Sequence, residues 1–205
     1  MKGKFITFEG SEGCGKSTQS KLACEYLKSK GYDVLFIREP GGTKISEKIR
    51  IVLLDKKNDK MSQMCEMLLY MAARAQIIDE VIKPALERGK VVICDRFLDS
   101  TVAYQGYGLG MSVHLINSLG HFVTQGIHPD LTLLLDVPVK KGLKHRAGSS
   151  DRIEQRSLAY HNRVRRGYFK LAKLDPDRIK VVKVADDKNT TQARIRKAII
   201  ENVLC

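Results

Sequence analysis

The sequence predicts an α/β fold, a three-layer sandwich in which a five-stranded parallel sheet is flanked by helices. Short apolar segments rich in Val, Ile and Leu alternate with longer segments of helical periodicity along the whole chain. Near-continuous apolar segments are typical of strands buried on both faces, as in parallel sheets. A length of 205 residues fits one domain, residues 1–205, with a sizeable core.

The predicted elements alternate regularly. Strands are expected at 5–9, 34–39, 91–95, 131–137 and 179–184. Helices are expected at 17–30, 43–54 and 61–88, as a pair around 99–125, and at 139–146, 152–174 and 190–203. Each helix can serve as the crossover that a parallel strand connection requires, and this alternation indicates a parallel sheet.

The polar segment 145–154, HRAGSSDRIE, joins two predicted helices. One interpretation is an ordinary helix–helix turn. The other is a short mobile lid within the domain, because Arg146 and Arg152 lie near its two ends and would bring positive charge to a substrate.

Composition excludes several classes of protein. No segment approaches the roughly 20 apolar residues of a membrane span, and the N-terminus lacks the apolar core of a signal peptide. The five cysteines, Cys14, Cys24, Cys65, Cys94 and Cys205, are scattered without a CxxC pair. They predict reduced thiols in a cytoplasmic protein rather than a disulfide framework or a zinc site.

The net charge of +13 is concentrated between Lys140 and Lys183. Three interpretations are open at this point: a nucleic-acid surface, a site crowded with phosphate groups, or a solvated basic helix face.

The stretch Gly10–Ser17, GSEGCGKS, matches the phosphate-loop pattern G-x-x-x-x-G-K-[ST] and lies between a predicted strand and a predicted helix. Its glycines let backbone N–H groups turn toward phosphate oxygens, and the helix adds its positive N-terminal end. Lys16 is expected to reach the β- and γ-phosphates, and the Ser17 hydroxyl to bind Mg²⁺. The pattern predicts a P-loop NTPase fold. The residues expected to bind the nucleoside triphosphate are Gly10, Ser11, Glu12, Gly13, Cys14, Gly15, Lys16, Ser17 and Thr18.

Asp95 and Arg96 follow the third predicted strand, at the edge of the sheet where ligands bind in open α/β folds. Asp95 is expected to hold Mg²⁺, directly or through water, and Arg96 to bind an anionic group.

Four further motifs lie at defined places in the chain: REPGGT (38–43), YMAARAQ (70–76), DRFLDSTVAYQG (95–106) and DRIE (151–154). Together with the phosphate loop, they make the sequence resemble the bacterial thymidylate (dTMP) kinases, a family of P-loop nucleoside monophosphate kinases. The resemblance runs from about Lys4 to the last predicted helix. It implies phosphorylation of dTMP to dTDP, a step in dTTP biosynthesis, with ATP and Mg²⁺ and in a homodimer. No nucleic-acid or membrane partner is expected.

The resemblance also implies roles for individual residues. Arg74 would hydrogen-bond the thymine ring, and Tyr70, where the family usually has Phe, would stack on it. Tyr104 would contact the sugar. The full set expected to bind dTMP is Glu39, Pro40, Arg50, Tyr70, Arg74, Arg96, Ser100, Thr101, Tyr104 and Gln105.

Some members of the family carry a catalytic arginine inside the phosphate loop, but positions 11–14 contain none here. The resemblance then implies that the lid supplies this charge. The residues expected to act in catalysis are Lys16, Arg96, Arg146 and Arg152.

Two alternatives come from other readings of the same features. A kinase for another nucleoside monophosphate or for a deoxynucleoside would keep the loop, and Glu39 could then serve a deoxynucleoside as a base. A nucleotide-regulated protein that binds RNA or DNA would use the basic region. The sequence has no RNA- or DNA-binding motif, and aromatic residues make up only 6% of it, which disfavours base stacking.

Overall fold

The computed structural model describes residues 3–144 and 151–204. The sheet has five strands, all parallel, in the order β2-β3-β1-β4-β5. The strands are β1 (Lys4–Glu9), β2 (Val34–Arg38), β3 (Val91–Asp95), β4 (Leu131–Asp136) and β5 (Ile179–Lys183). The predicted five-stranded parallel sheet is confirmed, and each predicted boundary lies within one residue of the observed one.

Strand register brings two chain segments together at the carboxyl edge of the sheet. The central strand β1 pairs with β3 so that Phe8 lies opposite Asp95. The amide of Arg96 then donates to the carbonyl of Phe8 at 3.0 Å. The loop that begins at Gly10 and the segment that begins at Arg96 therefore start side by side.

Helices cover both faces of the sheet. They are α1 (Lys16–Ser29), α2 (Lys44–Leu54), α3 (Gln63–Ile77), α4 (Lys83–Glu87), α5 (Leu98–Thr101), α6 (Val113–Val123), α7 (Val139–Lys144), α8 (Leu158–Leu174) and α9 (Lys188–Ile199). Short π-helical segments follow α3, α5 and α9, at Ile78–Ile82, Val102–Gly108 and Ile200–Leu204.

Alternate side chains of β1 supply the cores on opposite faces of the sheet. Ile6 and Phe8 pack into the cluster that contains residues of α1 and α9. Phe5 packs on the other face, in a cluster with Ile77 and Ile82 from the long helical region after α2. This three-layer arrangement follows from strands that are apolar on both faces.

Helix α8 begins later than the sequence pattern indicates. The expected start at Arg152 is wrong, because residues 151–156 form a turn instead. The Asp151 carboxylate accepts from the amides of Ile153 and Glu154, both at 2.9 Å. The Ser157 hydroxyl then accepts from the amide of Tyr160 at 3.3 Å and caps the helix that starts at Leu158. The expected extension of α7 to residue 146 lies outside the described residues.

The phosphate loop packs directly against α7, backbone to backbone. A Cβ atom placed on Gly142 would lie 2.3 Å from the carbonyl oxygen of Glu12. A Cβ on Gly13, which has a φ of 68°, would lie 1.8 Å from the carbonyl oxygen of Gly142. Only glycine fits at both positions, so the shape of the loop depends on the position of α7.

None of the helices within the described ranges combines the length and the apolar character that crossing a bilayer requires.

We expect Gly142→Ala to destabilise the protein. Alanine replacing glycine inside a helix normally stabilises by about 0.5–1 kcal/mol. Here the added methyl group meets the Glu12 carbonyl, and overpacking of this kind costs about 1–3 kcal/mol. Urea unfolding measures the change in free energy, and the KM for ATP should rise as the loop shifts. Lys140→Ala, at an exposed position of the same helix, is the control. A stabilised Gly142→Ala protein with an unchanged KM would contradict this contact.

Candidate active site

A cavity of about 420 Å³ lies at the carboxyl edge of the sheet. The phosphate loop, the segment after β2, helix α3 and the segment after β3 line it together. All ten residues expected on the acceptor side line this cavity: Glu39, Pro40, Arg50, Tyr70, Arg74, Arg96, Ser100, Thr101, Tyr104 and Gln105. From the loop, Glu12, Gly13, Gly15, Lys16, Ser17 and Thr18 also line it.

Lys16 is held inside the phosphate loop. Its ammonium donates to the carbonyl oxygens of Gly10 at 2.9 Å and Ser11 at 2.8 Å, and it lies 3.6 Å from Cys14 Sγ. The side chain is buried, and Gly10, Ser11 and Cys14 lie around it rather than along the cavity wall. The loop therefore keeps a positive charge fixed at the position where phosphates are expected.

Ser17 and Asp95 face each other across the base of the cavity. The hydroxyl of Ser17 donates to Asp95 Oδ2 at 2.5 Å. Mg²⁺ in nucleotide sites takes one or two carboxylates together with substrate phosphates and water, so this oxygen pair suits the ion. In the described part of the chain, no group of three or more His, Cys, Asp or Glu residues is arranged to bind a metal.

Arg96 crosses from the edge of the sheet to the phosphate loop. Its φ of 74° is unusual for a residue with a side chain and turns the chain sharply after β3. The guanidinium donates to Glu12 Oε1 at 2.7 Å, to the Gly10 carbonyl at 3.2 Å and to the Ser100 hydroxyl at 3.2 Å. It also lies 5.0 Å from the centre of the Tyr104 ring, whose hydroxyl donates to the same Glu12 oxygen.

Glu12 therefore faces the acceptor side of the cavity. The sequence pattern places it in the loop for the triphosphate, whereas its carboxylate contacts Arg96 and Tyr104.

Glu9, the last residue of β1, hydrogen-bonds the segment that follows β3. It accepts hydrogen bonds from the amides of Phe97 and Ser100 and from the hydroxyls of Ser100 and Tyr168. Burial and the neighbouring charge of Asp99 raise the pKa of Glu9 from its ordinary 4.5 to about 7. Glu9 is not among the site residues predicted from sequence, although a carboxylate at the end of a buried strand was a usable signal.

Arg74 and Glu39 form a buried ion pair at one wall of the cavity. Arg74 donates through Nε to Glu39 Oε2 at 2.9 Å, and Nη2 lies 2.8 Å from the same oxygen. Nη1 donates to the Thr101 hydroxyl at 3.1 Å. Burial raises the pKa of Glu39, and the positive charge of Arg74 opposes that change. Glu39 Oε1 is buried and has no hydrogen-bond partner among the residues described.

Arg50 and Tyr70 approach the cavity from α2 and α3. Arg50 donates to the Pro40 carbonyl at 2.9 Å, and the Glu39–Pro40 peptide bond is cis. Burial, together with the negative charge of Glu66, raises the pKa of the Tyr70 hydroxyl, so the phenol stays neutral.

Two arginines near the ends of the predicted lid were expected to act in catalysis. Arg146 lies outside the described residues. Arg152 does not line the cavity, because its Nε donates to the Leu53 carbonyl at 3.0 Å and Nη1 lies 2.6 Å from Glu66 Oε2. The catalytic roles expected for both arginines stay predictions.

A phosphate loop and an arginine-rich pocket share one cleft at the carboxyl edge of a parallel sheet, and this arrangement defines a P-loop phosphotransferase. A family model described as Thymidylate kinase matches residues 8–195. The chain belongs to the thymidylate kinase family.

Individual relatives agree with this assignment. The chain is 49% identical over 179 residues to the thymidylate kinase of Thermoanaerobacter sp. (strain X514), covering 87% of this chain and 88% of that protein. It is 47% identical over 207 residues to the thymidylate kinase of Geotalea daltonii, with 97% of each chain covered. The crystal structure of thymidylate kinase from Ehrlichia chaffeensis matches with a TM-score of 0.81 and 37% identity, over 97% of this chain and 99% of that one.

The raised pKa of Glu9 predicts a pH-dependent stability. The folded protein binds this proton more tightly than the unfolded chain, so the stabilisation is complete below pH 4.5 and is lost as pH rises through about 7. The unfolding free energy of the wild-type protein, relative to Glu9→Gln, should fall by about 3 kcal/mol from roughly pH 4.5 to 8.

Urea titrations at several pH values between 5 and 8 measure this difference. Glu47→Gln is the control, because a hydrogen bond from the Gly42 amide lowers the pKa of Glu47 and places its titration below this range. A difference between wild type and Glu9→Gln that stays constant with pH would contradict the prediction.

Proposed function

We propose that this chain transfers the γ-phosphate of ATP to dTMP, giving dTDP and ADP, in the cleft between the phosphate loop and helix α3. Membership of the thymidylate kinase family supports the reaction. The observation that carries the residue assignments is that the loop lysine and the acceptor-side arginines Arg50, Arg74 and Arg96 line a single cavity.

The two substrates would meet end to end in this cavity. ATP would place its phosphates in the loop around Lys16. The monophosphate of dTMP would bind near Arg96 and Arg50, with the sugar beside Tyr104 and the base between Tyr70 and Arg74. All of these residues line the cavity, which supports the assignments.

The chemical step is an in-line displacement. An oxygen of the dTMP phosphate forms a bond to the γ-phosphorus of ATP as the bond to the β–γ bridging oxygen breaks, and ADP leaves with that electron pair. A phosphate monoester has a second pKa of about 6, so the attacking oxygen is already anionic and needs no strong base. The protein mainly positions the substrates and stabilises charge, with Lys16 and Arg96 in fixed places.

Mg²⁺ fits the oxygen pair formed by Ser17 and Asp95. When bound with ATP, the ion would neutralise negative charge on the β- and γ-phosphates. The hydroxyl of Ser17 and the carboxylate of Asp95 would hold it, directly or through water.

The alternatives receive no specific support. Glu39 would be the base in a deoxynucleoside kinase, but its carboxylate is bound to Arg74. The basic region includes Arg165 and Arg178, and both are paired with aspartates. The cytoplasmic location stays a prediction from the scattered thiols.

We also propose that the enzyme is a homodimer. Helix α3 packs against both α2 and α6, and these three adjacent helices carry large exposed apolar side chains. They are Ile45, Ile51, Val52, Met64, Leu68, Leu115 and Phe122. A second copy of the chain would remove this surface from water.

An ADP-release assay with ATP, Mg²⁺ and a panel of acceptors tests the reaction. The panel contains dTMP, dUMP, dCMP, dGMP, dAMP, UMP and thymidine. We expect strong preference for dTMP. Preference for thymidine would instead favour a nucleoside kinase, and turnover that does not depend on any acceptor would contradict the proposal.

Lys16→Ala tests the phosphate loop. Loss of this fixed charge should lower kcat about 100-fold or more, because a preorganised electrostatic group then no longer stabilises the transferring phosphoryl group. Lys21→Ala, on the exposed side of the same helix, should retain wild-type kcat. Near-normal turnover by Lys16→Ala would contradict the role proposed for the phosphate loop.

Leu68→Glu tests the dimer. A charge on α3, which packs against both other helices of the apolar surface, should convert the protein from dimer to monomer at micromolar concentration, measured by light scattering after gel filtration. Leu174→Glu is the control, since Leu174 is more exposed (76% against 47%) but lies at the end of α8. A Leu68→Glu protein that remains dimeric would exclude this surface as the interface.

A further inference from the structure

Glu66 is a fully buried carboxylate on α3 that no sequence motif singled out. It lies four and eight residues before Tyr70 and Arg74, on the same side of the helix. Three side chains from other parts of the chain bind it. Glu66 Oε1 accepts from the amide nitrogen of Gln105 at 2.8 Å. Glu66 Oε2 lies 2.6 Å from Nη1 of Arg152 and accepts from Nη2 of Arg156 at 2.6 Å.

This contact fixes the orientation of the Gln105 amide. A carboxylate can only accept hydrogen bonds, so the NH₂ end of Gln105 must face Glu66. The carbonyl end is then the polar atom that the amide can offer to the cavity lined by Gln105. The reverse orientation would bring the amide oxygen against a buried negative charge.

Two arginines hold Glu66 in this role. With both guanidinium groups on Oε2, only Oε1 faces Gln105. The ion pairs also restrict rotation of the carboxylate, because turning it would break two short contacts in a buried site.

We propose that Glu66 is a specificity-determining positioning residue: through Gln105 it makes the pocket present a hydrogen-bond acceptor to the base, beside the donor that Arg74 presents. This inference rests on the proposed function, in which the base of dTMP binds at this end of the cavity. Glu66 itself does not line the cavity and acts only through Gln105.

The donor of Arg74 and the acceptor of Gln105 are complementary to the edge of thymine and not to that of cytosine. Thymine and uracil have an oxygen at C4, which accepts, and an N3–H group, which donates. Cytosine has an amino group at C4, which donates, and an unprotonated N3, which accepts. A fixed Gln105 oxygen would therefore meet the N3 lone pair of cytosine, and the hydrogen bond that cannot form there would disfavour dCMP.

Glu66→Gln tests the inference. A glutamine at this position can donate as well as accept, so the Gln105 amide becomes free to turn over. We expect the ratio of kcat/KM for dTMP to that for dCMP to fall about tenfold or more. The ratio of dTMP to dUMP should stay at its wild-type value, because both bases present the same edge at C4 and N3.

Arg156→Gln is the matched control. It removes one guanidinium from Oε2 and leaves the contact between Oε1 and Gln105 in place, so the ratio of dTMP to dCMP should be retained. Because Glu66→Gln leaves the buried Arg152 and the partly buried Arg156 without their carboxylate, the double variant Glu66→Gln/Arg156→Gln provides a second test with one less unpaired charge. Its ratio of dTMP to dCMP should fall as in Glu66→Gln.

The outcomes separate the inference from the proposed function. A wild-type discrimination ratio in Glu66→Gln and in the double variant would overturn the role of Glu66 alone, since the enzyme would still prefer dTMP. An equal fall in Arg156→Gln would also overturn it, because the effect would come from the ion pairs. A wild-type enzyme without preference for dTMP over dCMP would overturn the proposed function and this inference together.

Discussion

Burial of positive charge is the constraint around which the cleft is built. A site for phosphates needs cations away from bulk water, and a buried cation without a partner destabilises a protein by several kcal/mol. Arg96 is therefore paired with Glu12, Arg74 with Glu39, and Lys16 with carbonyl oxygens of its own loop. A phosphate that binds Arg96 would replace the Glu12 carboxylate, and one that binds Lys16 would replace neutral carbonyl oxygens, so either step requires little ordering of side chains.

The need to pair buried charges also explains the hydrogen bonds that lie behind the residues lining the cleft. Glu9 satisfies two amides and two hydroxyls below the segment that carries Arg96. Behind it, Arg178 binds Asp99, which accepts from the Thr132 hydroxyl inside the sheet. These buried hydrogen bonds restrict the rotamers of the side chains nearer the cavity, as preorganised sites require.

Much of the fold could be predicted from sequence because its signals are local. Apolar runs predicted the five strands, and Ser17 of the phosphate-loop pattern lies against Asp95 at the end of β3. The predicted start of α8 was wrong because helical periodicity in the sequence continues through a turn. Hydrogen bonds of Asp151 and Ser157 define that turn.

The missed residues depend on partners far along the chain. Glu9 binds Tyr168, 159 residues away, and Glu66 binds Gln105, 39 residues away. A single carboxylate in an apolar segment does not reveal such a partner.

The chain has no tryptophan, and its tyrosines are concentrated at the cleft. Tyr70 and Tyr104 line the cavity, and the rings of Tyr160 and Tyr168 lie 6.3 and 6.2 Å from that of Tyr104. Tyrosine therefore dominates the intrinsic ultraviolet fluorescence of this enzyme, and four of its seven tyrosines lie at or beside the substrate cleft, so this emission samples the cleft without a label.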